Sequence, residues 1–241
     1  MPPFFKGKYM RVRVYIDGYN LYYGALKAQF GSNVPKEKKK QLKQQKRKLR
    51  WLNVKLLVEQ FLNNNKDNYT IEQINFYTAD IKPLYNGDKS PKRQKEYYKA
   101  LRTIDGLNIF KGNFHQNPVY LPQYPLSEPI KSCCVLKTEE KGSDVNLASH
   151  LVYDACKNLF DMAVIITNDS DLLEPIKIIN ELQKRFLILC PHKKYCYDFV
   201  KEFKNKHLRS IEPIHLKRAQ FPDIIRDALG NVVASRPDEW K

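Results

Sequence analysis

The chain reads as an α/β protein, a mostly parallel sheet with helices on both faces. Three observations carry that expectation. Strand and helix signals alternate along most of the 241 residues. Two short runs, MAVIIT at 162–167 and RFLILC at 185–190, are apolar throughout, as strands covered on both sides must be. The first strand-like run stops abruptly at Asp17-Gly18, a turn dipeptide that leaves a carboxylate at a strand end.

Taken in order, residues 10–16 (MRVRVYI) alternate and are rich in Val and Ile, so a strand is expected, with a helix over 19–30 after the turn. Composition then changes. Residues 36–50 (KEKKKQLKQQKRKLR) are nearly all basic or Gln, and Leu42, Leu49, Leu52 and Leu56 recur at helical spacings. The segment is either a solvated face or mobile loop, or one helix running on into WLNVKLLVEQFLNN with a basic ridge, or a tether that orders on a polyanion. A second strand is expected at 71–79, a helix at 91–104 and a short strand at 107–110. Residues 112–134 carry four prolines and read as an irregular excursion or a hairpin, with 134–137 extended. Gly142-Ser143-Asp144 opens a helix to about 160, because Ser143 can cap and Asp144 suits a first turn. After the apolar strand at 162–167 come a helix at 172–182, the strand at 185–190, a helix at 197–204 and an edge strand at 208–211. The expected organisation is one domain over 1–218, with a basic insertion at about 33–50. A tail at 219–241 packs on it or extends it.

Bulk properties narrow the class. Hydrophobic residues make up 42%, enough for a sizeable core. No apolar run approaches the roughly 18 residues of a membrane span, and the first residues lack a signal-peptide pattern, so a soluble, cytoplasmic protein is expected. The five cysteines form no disulfide rhythm, and Cys190, His192 and Cys196 match no zinc spacing. Lys and Arg total 42 against 26 Asp and Glu, giving +16. Such a field attracts polyanions, nucleic acid above all, though it names no reaction.

The chemistry is expected where the strands end. Ligands of open α/β sheets gather beyond the carboxyl ends of the strands. Asp17 ends the first strand, Asp169 and Asp171 follow the strand at 162–167, and Asp144 starts the helix before it. Each has an innocent alternative as a cap or turn former. Together they form an acidic rim that needs a cation between its members, and hard oxygen donors suit Mg²⁺ or Mn²⁺. Such an ion activates water and offsets the charge that develops on a phosphoryl group.

The segments VYIDGYNLYYG, EKGSDVNLASHLVYDA and DMAVIITNDSDLLEPI, in that order, resemble the NYN domain family of PIN-like nucleases. Tyr77-Thr78-Ala79, Gln220-Phe221-Pro222, Arg236-Pro237 and Trp240 are similar to one bacterial subgroup of it. The resemblance implies a PIN-like three-layer α/β/α fold and a Mg²⁺- or Mn²⁺-dependent ribonuclease that hydrolyses RNA phosphodiesters. It further implies that Asp17, Asp144, Asp169 and Asp171 bind metal and catalyse, with Asn20 as a supporting ligand and Asn168 and Ser170 shaping the loop. Lys141, Lys46, Arg47, Lys48 and Arg50 are candidate contacts to RNA phosphates. Asp80, Glu139, Glu140 and Asp154 are also acidic, but their spacing selects none of them. The rivals are an RNA-binding module of the same fold that does not cut, with Tyr22, Tyr23, Phe114 and Tyr120 as stacking platforms, a DNA nuclease, and an aspartate-based phosphatase or phospho-receiver.

Overall fold

The structure, a computed structural model, describes residues 9–27, 34–63 and 68–241. The ends of two expected segments, 28–30 of the first helix and the start of the basic insertion at 33, lie outside the described residues. Seven strands form the main sheet in the order β4-β3-β2-β1-β5-β6-β7. These are β1 (Met10–Asp17), β2 (Tyr69–Ala79), β3 (Leu107–Pro122), β4 (Ser132–Lys141), β5 (Met162–Ile166), β6 (Arg185–Cys190) and β7 (Leu208–Ser210). Neighbouring strands run parallel except β3 and β4, which form an antiparallel hairpin. The α/β/α architecture with a mostly parallel sheet is therefore as expected.

Strand periodicity divides the core in two. Val12, Val14 and Ile16 of β1 and Met162, Val164 and Ile166 of β5 face one buried cluster, whereas Tyr15, Ala163 and Ile165 face the other. The first cluster is closed by α1 (Gly18–Leu21) with its π-helical continuation Tyr22–Leu26, by α3 (Val54–Leu62) and by α4 (Ser90–Leu101). The second is closed by α5 (Ser143–Cys156), α6 (Leu173–Glu181) and α7 (Tyr197–Phe203). The tail joins the first layer. Phe221 and Trp240 pack against Trp51, the Trp51 indole N–H donates to the Pro222 carbonyl at 2.8 Å, and Ile224–Arg226 pairs with Val232–Ser235.

Three local expectations need correction. The basic segment does not run on as one helix: α2 (Lys36–Lys48) ends at Leu49, Leu52 bridges Gln220, and Asn53 starts α3 afresh. The Asn53 carboxamide oxygen accepts from the backbone N–H of Lys55 and Leu56, so a strong cap overrides the leucine periodicity. The strand expected at 107–110 continues to Pro122, because β4 pairs with its outer half. Prolines are tolerated there since that half of β3 lies at the sheet's edge. Ser143 does not cap α5: Gly142 is the cap residue, in a left-handed turn at φ +101°, and the Ser143 hydroxyl donates instead to Glu140 at 2.7 Å. Among the described residues, no helix is long and apolar enough to cross a membrane.

Candidate active site

The register of β1 and β5 places the acidic rim. Ile16 lies opposite Ile166, so Asp17 and Thr167 emerge side by side at the carboxyl ends of the two central strands. To one side of β1 the chain winds toward β2, and to the other lies β5, which makes this crevice the switch point of the sheet. Gly18 permits the tight exit from β1. A Cβ there would lie 2.7 Å from the Tyr77 carbonyl oxygen and 2.9 Å from the Phe76 ring.

Asp17 is only 4% exposed. Its carboxylate accepts from the Asn20 backbone N–H at 2.8 Å and from the Thr167 hydroxyl at 3.3 Å. Thr167 in turn accepts from the Asp169 N–H at 3.1 Å, and Asp169 accepts from the Asp171 N–H at 3.0 Å. The Asn20 side-chain oxygen accepts from the Asn168 N–H at 3.0 Å, tying α1 to the loop after β5. Asn168 holds that loop from the other side, its oxygen accepting from the Cys196 N–H at 2.7 Å and from the Cys190 thiol at 3.0 Å. The Cys190 thiol is thus a structural donor, and burial pushes it up to about 11.

A cavity of about 320 Å³ opens between these elements, lined by Asp17, Asn20, Asp144, Asp169, Glu140 and His192 among others. Burial pushes the Asp17 carboxyl up to about 7; the Asn20 N–H and Thr167 hydroxyl oppose this, while the charges of Asp144 and Asp169 add to it. Asp144 rises to about 6, through burial first and then through Asp169, Glu140 and Asp171. Carboxylates that raise one another in this way face a common space. His192 is held below its ordinary range by burial, against the pull of Asp169.

The candidate residues are therefore distributed as follows. Asp17, Asn20, Asp144 and Asp169 line one cavity, and Asp171 lies outside its lining, exposed but close enough for its charge to reach Asp144. Among the described residues, no three carboxylate, imidazole or thiol groups are gathered tightly enough to enclose one ion.

Glu140 is the residue that sequence spacing did not select. It pairs with Phe114 across the hairpin, so both side chains face the cavity, and its carboxylate anchors the first turn of α5 through the Ser143 N–H and hydroxyl. The hairpin register was the signal needed to find it. Asp154, by contrast, is buried elsewhere, accepting from Arg13 at 2.8 Å and from the Tyr15 hydroxyl at 2.6 Å, and Asp80 pairs with Lys111.

The basic candidates scatter. Arg47 and Lys48 are exposed on α2, and Lys141 is exposed at the end of β4 beside the acidic cavity. Lys46 is half-buried, donating to the Ala25 carbonyl. Arg50 turns inward, its guanidinium 5.1 Å from the Tyr22 ring centre. A second cavity of about 570 Å³ abuts the acidic one and shares Tyr19, Tyr23 and Phe114 with it.

The chain matches the family model described as NYN domain over residues 11–207. A curated Pseudomonas putida protein named 6-hydroxy-3-succinoylpyridine 3-monooxygenase is 27% identical over 259 aligned positions, spanning 96% of this chain and 75% of that protein. A solved Vibrio parahaemolyticus protein of unknown function superposes with a TM-score of 0.44 at 10% identity, covering 86% of this chain and 96% of that one.

Proposed function

The chain belongs to the NYN domain family, and from that membership together with its acidic rim we propose that it is a Mg²⁺- or Mn²⁺-dependent ribonuclease. One observation carries the reading: Asp17, Asp144 and Asp169 come from three separate stretches of chain, yet line one cavity in a protein of net charge +16. A surface that only gripped RNA has no use for converging negative charge at its centre.

Asp17, Asp144 and Asp169 are the residues that would hold the cation, with the Asn20 amide and Glu140 as further oxygen donors. When bound, the ion supplies an activated water and offsets charge on the phosphate as the P–O bond breaks. The chain's own residues set up the reaction. Thr167 and the Asn20 N–H fix Asp17, Glu140 fixes the start of α5 and hence Asp144, and Asp171 holds the Asp169 loop through its backbone. Lys141 beside the rim, and Arg47 and Lys48 on α2, are placed to meet the phosphates of an approaching RNA.

The test is cleavage of end-labelled RNA in Mn²⁺ by purified protein. Asp17→Asn is expected to lower the rate by at least about 100-fold. Equal rates in the two proteins would overturn the proposal. DNA of the same sequence, run in parallel, separates ribonuclease from general nuclease.

A second reading comes from the name of the Pseudomonas relative, an enzyme of a substituted pyridine ring. The aromatic-walled cavity of about 570 Å³, large enough for a small organic molecule, favours chemistry on such a ring. Loss of RNA cleavage alongside conversion of a hydroxypyridine would select it.

A further inference from the structure

The larger cavity has a character of its own. Tyr19, Tyr22, Tyr98, Phe114 and Trp240 supply ring walls, and Arg50 and Arg93 supply positive charge. Its about 570 Å³ falls in the range of sites that enclose a small organic ligand. Aromatic walls favour flat rings, by stacking and edge contacts.

The polar groups are unevenly satisfied. Arg93 is engaged, donating to Glu239 at 3.0 Å and to Ser90 at 2.7 Å. Asp88 at the edge is likewise engaged, accepting from the backbone N–H of Leu84 and Ser90. Arg50 and Trp240 are not fully matched. Among the described residues, the Arg50 Nε–H and the Trp240 Nε1–H are buried donors without an acceptor, and Trp240 as a whole is only 7% exposed. Both nitrogens are sealed from solvent, while the two residues that carry them line the cavity. The guanidinium of Arg50 is also held below its ordinary range, by burial first and then by Arg47 and Arg93, against the opposing influence of Tyr22. Among the described residues its neighbour is the Tyr22 ring, and no carboxylate pairs with it.

We propose that this cavity binds a flat aromatic ring bearing an anionic group, the ring between the aromatic walls and the anion toward Arg50. Two sources share that chemistry: a nucleotide, presented by RNA or free, and a free aromatic carboxylic acid. The common wall of Tyr19, Tyr23 and Phe114 would set such a ring next to the acidic rim, as a base-holding subsite or as a substrate pocket. The proposal stands on the cavity's own residues and does not depend on the nuclease reading.

Calorimetric titration of the full chain tests it with four probes: adenosine monophosphate, pyridine-3-carboxylate, adenosine and inorganic phosphate. At least one of the two ring-plus-anion probes is expected to bind. Adenosine and phosphate, each lacking half of the feature, should bind about tenfold more weakly or not at all. Arg50→Met, which keeps the stem, should weaken binding of the anionic probe about tenfold, with a thermal melt confirming that it folds. Adenosine monophosphate alone would identify a nucleotide source, and the carboxylate alone a free aromatic acid. No binding by either at millimolar concentration, phosphate binding as tightly as the nucleotide, or unchanged binding in Arg50→Met would overturn the proposal. Binding and RNA cleavage are read separately, so failure of RNA cleavage leaves this result standing, and failure of binding leaves the nuclease reading standing.

Discussion

Asp17 is only 4% exposed while three further carboxylates, those of Asp144, Asp169 and Glu140, line the same cavity, and that combination has a measurable signature. Its carboxyl titrates near 7 in the folded, metal-free protein, against about 4 in an unfolded chain. Because the folded value is the higher one, the protonated group's contribution to stability is present at low pH. It is lost as pH rises from about 4 through 7. Asp17→Asn removes that loss. In EDTA the variant should be more stable than the parent at pH 8, by about 1–3 kcal/mol in urea unfolding, and nearly equal to it at pH 4. An Asp17→Asn variant whose stability relative to the parent is the same at pH 8 as at pH 4 would contradict this. Asp154 makes the contrasting case, because it already has its cation and its hydroxyl donor in Arg13 and Tyr15. Asp154→Ala leaves Arg13 buried without its partner and should cost about 3 kcal/mol. Cleavage per folded molecule should be unchanged, as an activity assay corrected for folded fraction would show. Asp17, Asp144 and Asp169 were legible one by one from their positions at strand ends and helix starts. Glu140 was not, because its role depends on a cross-strand pairing with Phe114 that no local spacing reveals.

At the scale of elements, the sequence exposed the buried parallel strands most clearly, since β5 and β6 are apolar on both faces and nothing else in the chain has that pattern. The hairpin of β3 and β4 was harder to see. Pro118 and Pro122 interrupt it, and with half of its residues facing solvent it has little apolar periodicity. The α2–α3 boundary was hidden for a different reason: leucines continue at helical spacing through the break, and the decisive features are the Asn53 cap and the distant partner Gln220. Helix α2 has no fully buried side chain, and its Arg47 and Lys48 are exposed, so these two can be changed at little structural cost. Arg47→Gln with Lys48→Gln should leave the melting temperature nearly unchanged. RNA binding should become less steeply salt-dependent, the slope falling by about 1.5 units. An unchanged slope would remove α2 from the RNA path.

For the whole molecule, the order of strands brings separated carboxylates together. Asp17 and the Thr167–Asp171 loop are neighbours because β1 and β5 pair in the centre of the sheet, and Asp144 joins them because α5 leads into β5 from the hairpin. In the proposed function the net positive charge of the chain draws a polyanion and the acidic cavity holds the cation. The direct measurement of that arrangement is a Mn²⁺ titration followed by electron paramagnetic resonance of the free ion. The parent protein is expected to take up Mn²⁺, with Asp17→Asn and Asp144→Asn each binding it at least about tenfold more weakly and Asp154→Asn binding it as the parent does. Equal Mn²⁺ uptake by the parent and Asp17→Asn would show that the acidic rim is not where the ion sits.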